Sequence, residues 1–69
     1  MAKQNSSLTA REQEVLALIA QGRMAQLIGN TLGIVERTVH AHALSIVNKL
    51  KAANLAHAVA LAMKNKIIE

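Results

Sequence analysis

The sequence predicts an all-α domain, a four-helix bundle-like unit of short helices. Three observations predict it. Apolar residues recur three and four positions apart in successive segments. Start and stop signals (Thr9, Gly22, Gly33 and Asn54) punctuate those segments at short intervals. Hydrophobic residues make up 52% of the chain, with no Pro and no aromatic residue, and a small aliphatic composition suits closely packed helices.

With 69 residues the chain holds one domain at most. Residues 1–7 are polar and read as a flexible lead-in or linker end, leaving residues 8–69 for the domain. The first helix starts at Thr9. Thr9-Ala10-Arg11-Glu12 fits a capping box, in which the Thr hydroxyl takes the Glu12 amide and the Glu side chain reaches back. Val15, Leu16, Ile19 and Ala20 form its apolar stripe. Gly22 ends it, because Gly readily takes the left-handed conformation.

The spacing predicts a second, short helix from about Met24 to Leu32, with Ile28 and Leu32 facing inward. Gly33 marks a tight turn that Ile34 anchors. A third helix is expected from about Glu36 to Lys51, burying Val39, Ala43, Ile46 and Leu50. Its opposite face carries Arg37, His40, Ala41, Leu44, Ser45 and Asn48. Ala52 and Ala53 make a joint. Asn54 caps a fourth helix that runs to about Asn65. Ala58, Val59 and Ala62 point inward, and Ile67 and Ile68 fold back on the core or meet a partner.

Composition narrows the function. Eight Lys and Arg against four acidic residues give a net charge of +4, which points to a polyanion. A solvated basic surface is the plain alternative. The lack of Phe, Tyr and Trp argues against single-stranded nucleic acid, which stacks on aromatic rings. No cysteine means no disulfide and no thiolate metal site. His40 and His42 do not share a helix face, so no metal or other cofactor is expected. No Ser-His-acid arrangement and no phosphate loop can be placed, so the chain reads as no enzyme. The longest apolar stretch, Ala52 to Met63, is broken by Asn54 and His57 and is shorter than the roughly 20 residues of a membrane span. Met1 to Ser7 lacks the apolar core of a signal peptide, and a cytoplasmic location is expected.

The second and third helices, joined by a very short turn at Gly33, make a helix-turn-helix. In that motif the second of the pair enters the DNA major groove and the first crosses the backbone. Gly29, four residues before Gly33, lets the two helices approach closely.

From Leu8 to Ile68 the sequence resembles the LuxR/GerE type of helix-turn-helix domain. The resemblance rests on Leu8-Thr9, Arg11-Glu12, Val15-Leu16, Ile19-Ala20, Gly22, Ile28, Leu32-Gly33-Ile34, Glu36-Arg37-Thr38-Val39, His42, Ile46, Lys49-Leu50, Asn54, Ala58-Val59 and Ala62. Ala52-Ala53-Asn54 and Ala58-Val59-Ala60 look most like the quorum-sensing branch. The resemblance implies a bacterial transcription regulator's output domain. It also implies a third helix reading double-stranded DNA and a homodimer formed through the fourth helix on a two-fold symmetric site. RNA polymerase is a candidate partner. The chain departs from the pattern at Met24 and Val35, where Ser or Thr commonly opens the second and third helices. Each change removes an N-cap worth about 1 kcal/mol. Fewer cations than usual line the third helix, so weaker and less salt-dependent non-specific binding is expected.

The candidate DNA-binding residues are Val35, Arg37, Thr38, His40, Ala41, His42, Leu44, Ser45 and Lys49. Arg37 and Thr38, in the first turn of the third helix, suit phosphate contact. For Thr38 the alternative is a hydrogen bond within the helix. His40, Ala41 and Leu44 match the family's base-reading positions. His40 could donate to guanine, whereas Ala41 and Leu44 could only pack on a thymine methyl group. Leu44 reads equally well as a surface leucine or a protein contact. His42 suits a phosphate contact or a partly buried packing role. Lys49, like Lys51, complements the helix dipole or reaches the DNA backbone. Leu55, Ala56, Val59 and Met63 are the candidate dimer residues, since the fourth helix carries more small apolar residues than one buried stripe needs. Alanine's helix propensity is the plain alternative. The competing function is a protein-interaction or antagonist module with the same fold and a weakened DNA surface. Its motive is Leu27, Val35 and Leu44, which stand where the family is usually polar.

Overall fold

A computed structural model describes residues 8–68; the expected lead-in at 1–7 lies outside the described residues. Four helices follow in order: α1 (Ala10–Ala20), α2 (Ala25–Leu32), α3 (Glu36–Leu50) and α4 (Leu55–Lys64). α3 packs against each of the other three.

α1 begins as expected. The Glu12 amide donates to Thr9 Oγ1 at 3.1 Å, and the Thr9 amide donates to Glu12 Oε1 at 2.9 Å. It ends on Gly22, whose φ of 87° lets two amides turn back. Gly22 donates to the Ile19 carbonyl at 2.9 Å and Arg23 to that of Leu18 at 3.2 Å. This paired closure satisfies carbonyls the helix end would otherwise strand.

α2 and α3 are joined within three residues. Gly33 has a φ of 74°, and the Gly33 and Ile34 amides both donate to the Gly29 carbonyl. Gly29 itself is buried. A Cβ there would stand 2.5 Å from the Ile34 carbonyl oxygen. The close approach that Gly29 permits is therefore to the backbone of the turn, not to the side of α3.

α3 stops at Lys51, a non-glycine residue held at φ 56°. Asn54 then caps α4 by accepting from the His57 amide at 2.8 Å. The His57 ring turns back as a capping-box glutamate does but takes the amide one residue before the cap: its Nδ1 accepts from the Ala53 amide at 3.0 Å. After α4 the chain turns back through Lys66 at φ 60°, and the Ile67 amide donates to the Ala62 carbonyl at 2.8 Å.

The core joins Leu8, Val15, Leu16, Ile28, Val39, Ile46, Ala58, Ala62 and Ile68. Ile68 thus folds back on the core. Leu32, Ala43, Leu50 and Val59, expected inside, are half-buried. Ala20, also expected in the stripe, is exposed, because α1 ends there beside the exposed Gln21-Gly22-Arg23 turn. Among the described residues no helix is long and apolar enough to cross a membrane.

Candidate nucleic-acid interface

The site grows from the way α3 is held. Its buried stripe, Val39 and Ile46, is closed against the core. At 3.6 residues per turn, Arg37, Ala41, Leu44 and Asn48 fall on the opposite side. All four are exposed. This outward stripe has a cation at its start, an amide at its end, and two apolar side chains between them.

One flank of the stripe turns towards α1. There Glu12 is only 4% exposed, yet a cation and a hydroxyl reach it. Lys49 Nζ donates to Glu12 Oε1 at 2.8 Å, and Ser45 Oγ donates to Oε2 at 2.7 Å. Burial alone would raise the Glu12 pKa. The bond from Lys49, the Thr9 amide, the Ser45 hydroxyl and the Lys49 charge outweigh it and bring the pKa down to about 2. Glu12 therefore caps α1 and ties α3 to it with the same carboxylate. Arg11, next to it, donates from Nη1 to the Leu32 carbonyl at 3.2 Å and so holds the end of α2 where the turn begins. Neither Glu12 nor Arg11 was expected to position the site. Their partners lie 33 and 37 residues away for Glu12 and 21 for Arg11, beyond any local spacing.

This geometry places each candidate residue. Ser45, expected on the outer face, is half-buried and faces Glu12, because the buried carboxylate draws the nearest hydroxyl. Lys49, expected at the helix dipole or the DNA backbone, is engaged by that same carboxylate. Thr38 and His42 are half-buried, and Val35 is 66% exposed. Arg37 is exposed and makes no ion pair with any described residue. His40 Nε2 lies 3.4 Å from Glu36 Oε2, one turn earlier on the exposed surface. Ala41 and Leu44 stand on the outward stripe, Leu44 at 67% exposure. Arg23, which the sequence did not single out, is exposed in the turn before α2 and lines a shallow cleft with His40.

The openings of α2 and α3 are bare. Met24 and Val35 occupy the cap positions in extended conformation, and neither side chain makes a capping hydrogen bond. On α4, Leu55 and Val59 are half-buried against the core, while Ala56 and Met63 are exposed. All four fall on one side of that helix.

Residues 6–62 match the family described as bacterial regulatory proteins, luxR family. The chain belongs to that family. Its helix-turn-helix, α2 to α3, lies within the matched residues. Among individual relatives, the chain is 45% identical over 64 residues to the transcriptional activator protein BjaR1 of Bradyrhizobium diazoefficiens, covering 93% of this chain and 26% of that protein. It is 38% identical over 64 residues to the transcriptional regulatory protein LiaR of Bacillus subtilis, covering 93% of this chain and 30% of LiaR. It is 48% identical over 56 residues to RpaR of Rhodopseudomonas palustris, an HTH-type quorum sensing-dependent transcriptional regulator, covering 81% of this chain and 23% of RpaR. The chain thus spans less than a third of each of these relatives.

Proposed function

We propose that this chain binds double-stranded DNA sequence-specifically, as the output domain of a bacterial transcription regulator. In this reading α3 lies in the major groove and α2 crosses the backbone. The observation that carries it is the outward stripe Arg37, Ala41, Leu44 and Asn48, exposed along a helix whose inner face is closed by the core and one flank by Glu12. A two-fold site would be met by a homodimer through α4, whose exposed Ala56 and Met63 extend the half-buried Leu55 and Val59. The names of the relatives support transcription regulation, and that of RpaR makes quorum sensing the signal class to test first. RNA polymerase, in the cytoplasm, is the partner such a regulator would address.

The test is the affinity for a mixed-sequence duplex across a salt series. Each phosphate contact contributes about −0.9 to the log–log slope. Arg37→Ala should weaken binding to all sequences and reduce the slope by about 1. A folded chain that binds no duplex at low salt would sink the proposal. It would favour the second reading, an antagonist that pairs with another regulator. One observation supports that alternative: Met24, Leu27, Val35 and Leu44 are 77%, 45%, 66% and 67% exposed.

A further inference from the structure

We infer that α3 reads thymine through its C5-methyl group, with Leu44 as the specificity-determining residue and Ala41 beside it; this rests on the DNA-binding reading proposed above. A lone exposed leucine needs no explanation. Leu44 is not in that position. It stands 67% exposed in the middle of the outward stripe, on the far side of α3 from the buried Val39 and Ile46. Ala41 lies one turn before it, and the hydrogen-bonding side chains of the stripe, Arg37 and Asn48, are at its two ends.

The chemistry of the centre is therefore one-sided. Leucine and alanine offer no donor and no acceptor. In the major groove adenine, guanine and cytosine offer hydrogen-bonding groups and no methyl, and those groups lose water against an apolar side chain without compensation. The exception is thymine, whose methyl group projects into the groove. Leu44 against that methyl removes apolar surface from water on both partners. The nearest polar groups do not reverse the preference. His40 is drawn towards Glu36, and Ser45 and Lys49 are held by Glu12 on the flank facing α1. Cytosine methylated at C5 carries the same group at the same place, so methylation of a cytosine opposite Leu44 should recover part of the affinity that a plain cytosine loses.

The experiment starts from duplexes of roughly three helical turns, selected from a randomised pool with the 69-residue chain. Each thymine of a selected duplex is then replaced in turn by deoxyuridine, which pairs identically and lacks only the methyl group. At one or two positions per half-site the replacement should weaken binding about fourfold, the factor for losing one buried methyl-sized group. In Leu44→Ala that sensitivity should disappear at the position Leu44 reads. Leu44→Arg should shift the selected base there towards guanine. Selected duplexes that tolerate deoxyuridine everywhere would overturn methyl reading and leave DNA binding standing. Deoxyuridine sensitivity that persists unchanged in Leu44→Ala would overturn the assignment to Leu44. Failure to select any duplex would overturn both this inference and the function it rests on.

Discussion

The four helices begin in two different ways. α1 and α4 open on Thr9 and Asn54, whose side chains take a backbone amide of the first turn. α2 and α3 open on Met24 and Val35, which take none. Between α1 and the helix-turn-helix pair the backbone hardly differs: φ and ψ are −74° and 165° at Thr9, −78° and 155° at Met24, and −78° and 157° at Val35. Side-chain chemistry is thus what separates them. The supporting helices satisfy their own ends. The helix-turn-helix pair is held by burial of Ile28 and Val39 and by ties from α1, and no cap side chain takes its first amides. Local capping and tertiary packing are interchangeable ways of fixing where a helix starts. The second keeps the starting ends of the motif uncommitted.

The largest expected effect tests the supporting side. Glu12 titrates near 2 in the folded chain and near 4.5 in the unfolded one. Its folded pKa is depressed, so its contribution is fully present above pH 4.5 and disappears as the pH falls from there towards 2. It amounts to about 3 kcal/mol. Urea midpoints measured from pH 5 to pH 2 should fall accordingly, and Glu12→Gln should remove most of that slope. Wild-type stability that stays level through this window would mean the tie to Lys49 and Ser45 contributes nothing.

Next comes the turn of the bare pair. Gly→Ala inside a helix ordinarily stabilises by about 1 kcal/mol. Gly29→Ala should instead destabilise by about 2 kcal/mol, because its Cβ would meet the Ile34 carbonyl at 2.5 Å and displace the turn. A neutral or stabilising result in thermal unfolding would mean that the turn yields.

The smallest effect addresses the contrast itself. Met24→Ser and Val35→Ser should each stabilise by about 1 kcal/mol, and Thr9→Ala and Asn54→Ala should each cost a similar amount. Serine substitutions that change nothing would show that solvent already serves those amides as well as a hydroxyl does.

How much of this was legible in the sequence follows from the range of each interaction. The starts of α1 and α4 and the turns at Gly22 and Gly33 are set by neighbours three to five residues apart, and those were read correctly. Ser45 was misplaced because its surroundings are set by Glu12, 33 residues earlier. Helical spacing alone leaves it on the border of two faces. The same distance hid the positioning roles of Glu12 and Arg11. Ala20 followed the apolar period faithfully but lies where the neighbouring layer has already ended. For the candidate site, the outward stripe is a matter of periodicity and was visible. Which of its members would meet a base, on the DNA-binding reading, depends equally on the DNA, whose edges supply half of each contact.

The abutment of Gly29 against the Ile34 carbonyl has a further consequence. A Cβ there would collide with that carbonyl, so the turn that leads α2 into α3 depends on a residue without a side chain. The four outward side chains, Arg37, Ala41, Leu44 and Asn48, take no part in that turn, and none of them belongs to the core. On the DNA-binding reading proposed above, the domain is a chassis with an exchangeable reading head. Transplanting those four residues from another family member should re-address the protein to that member's operator while leaving the melting curve where it was.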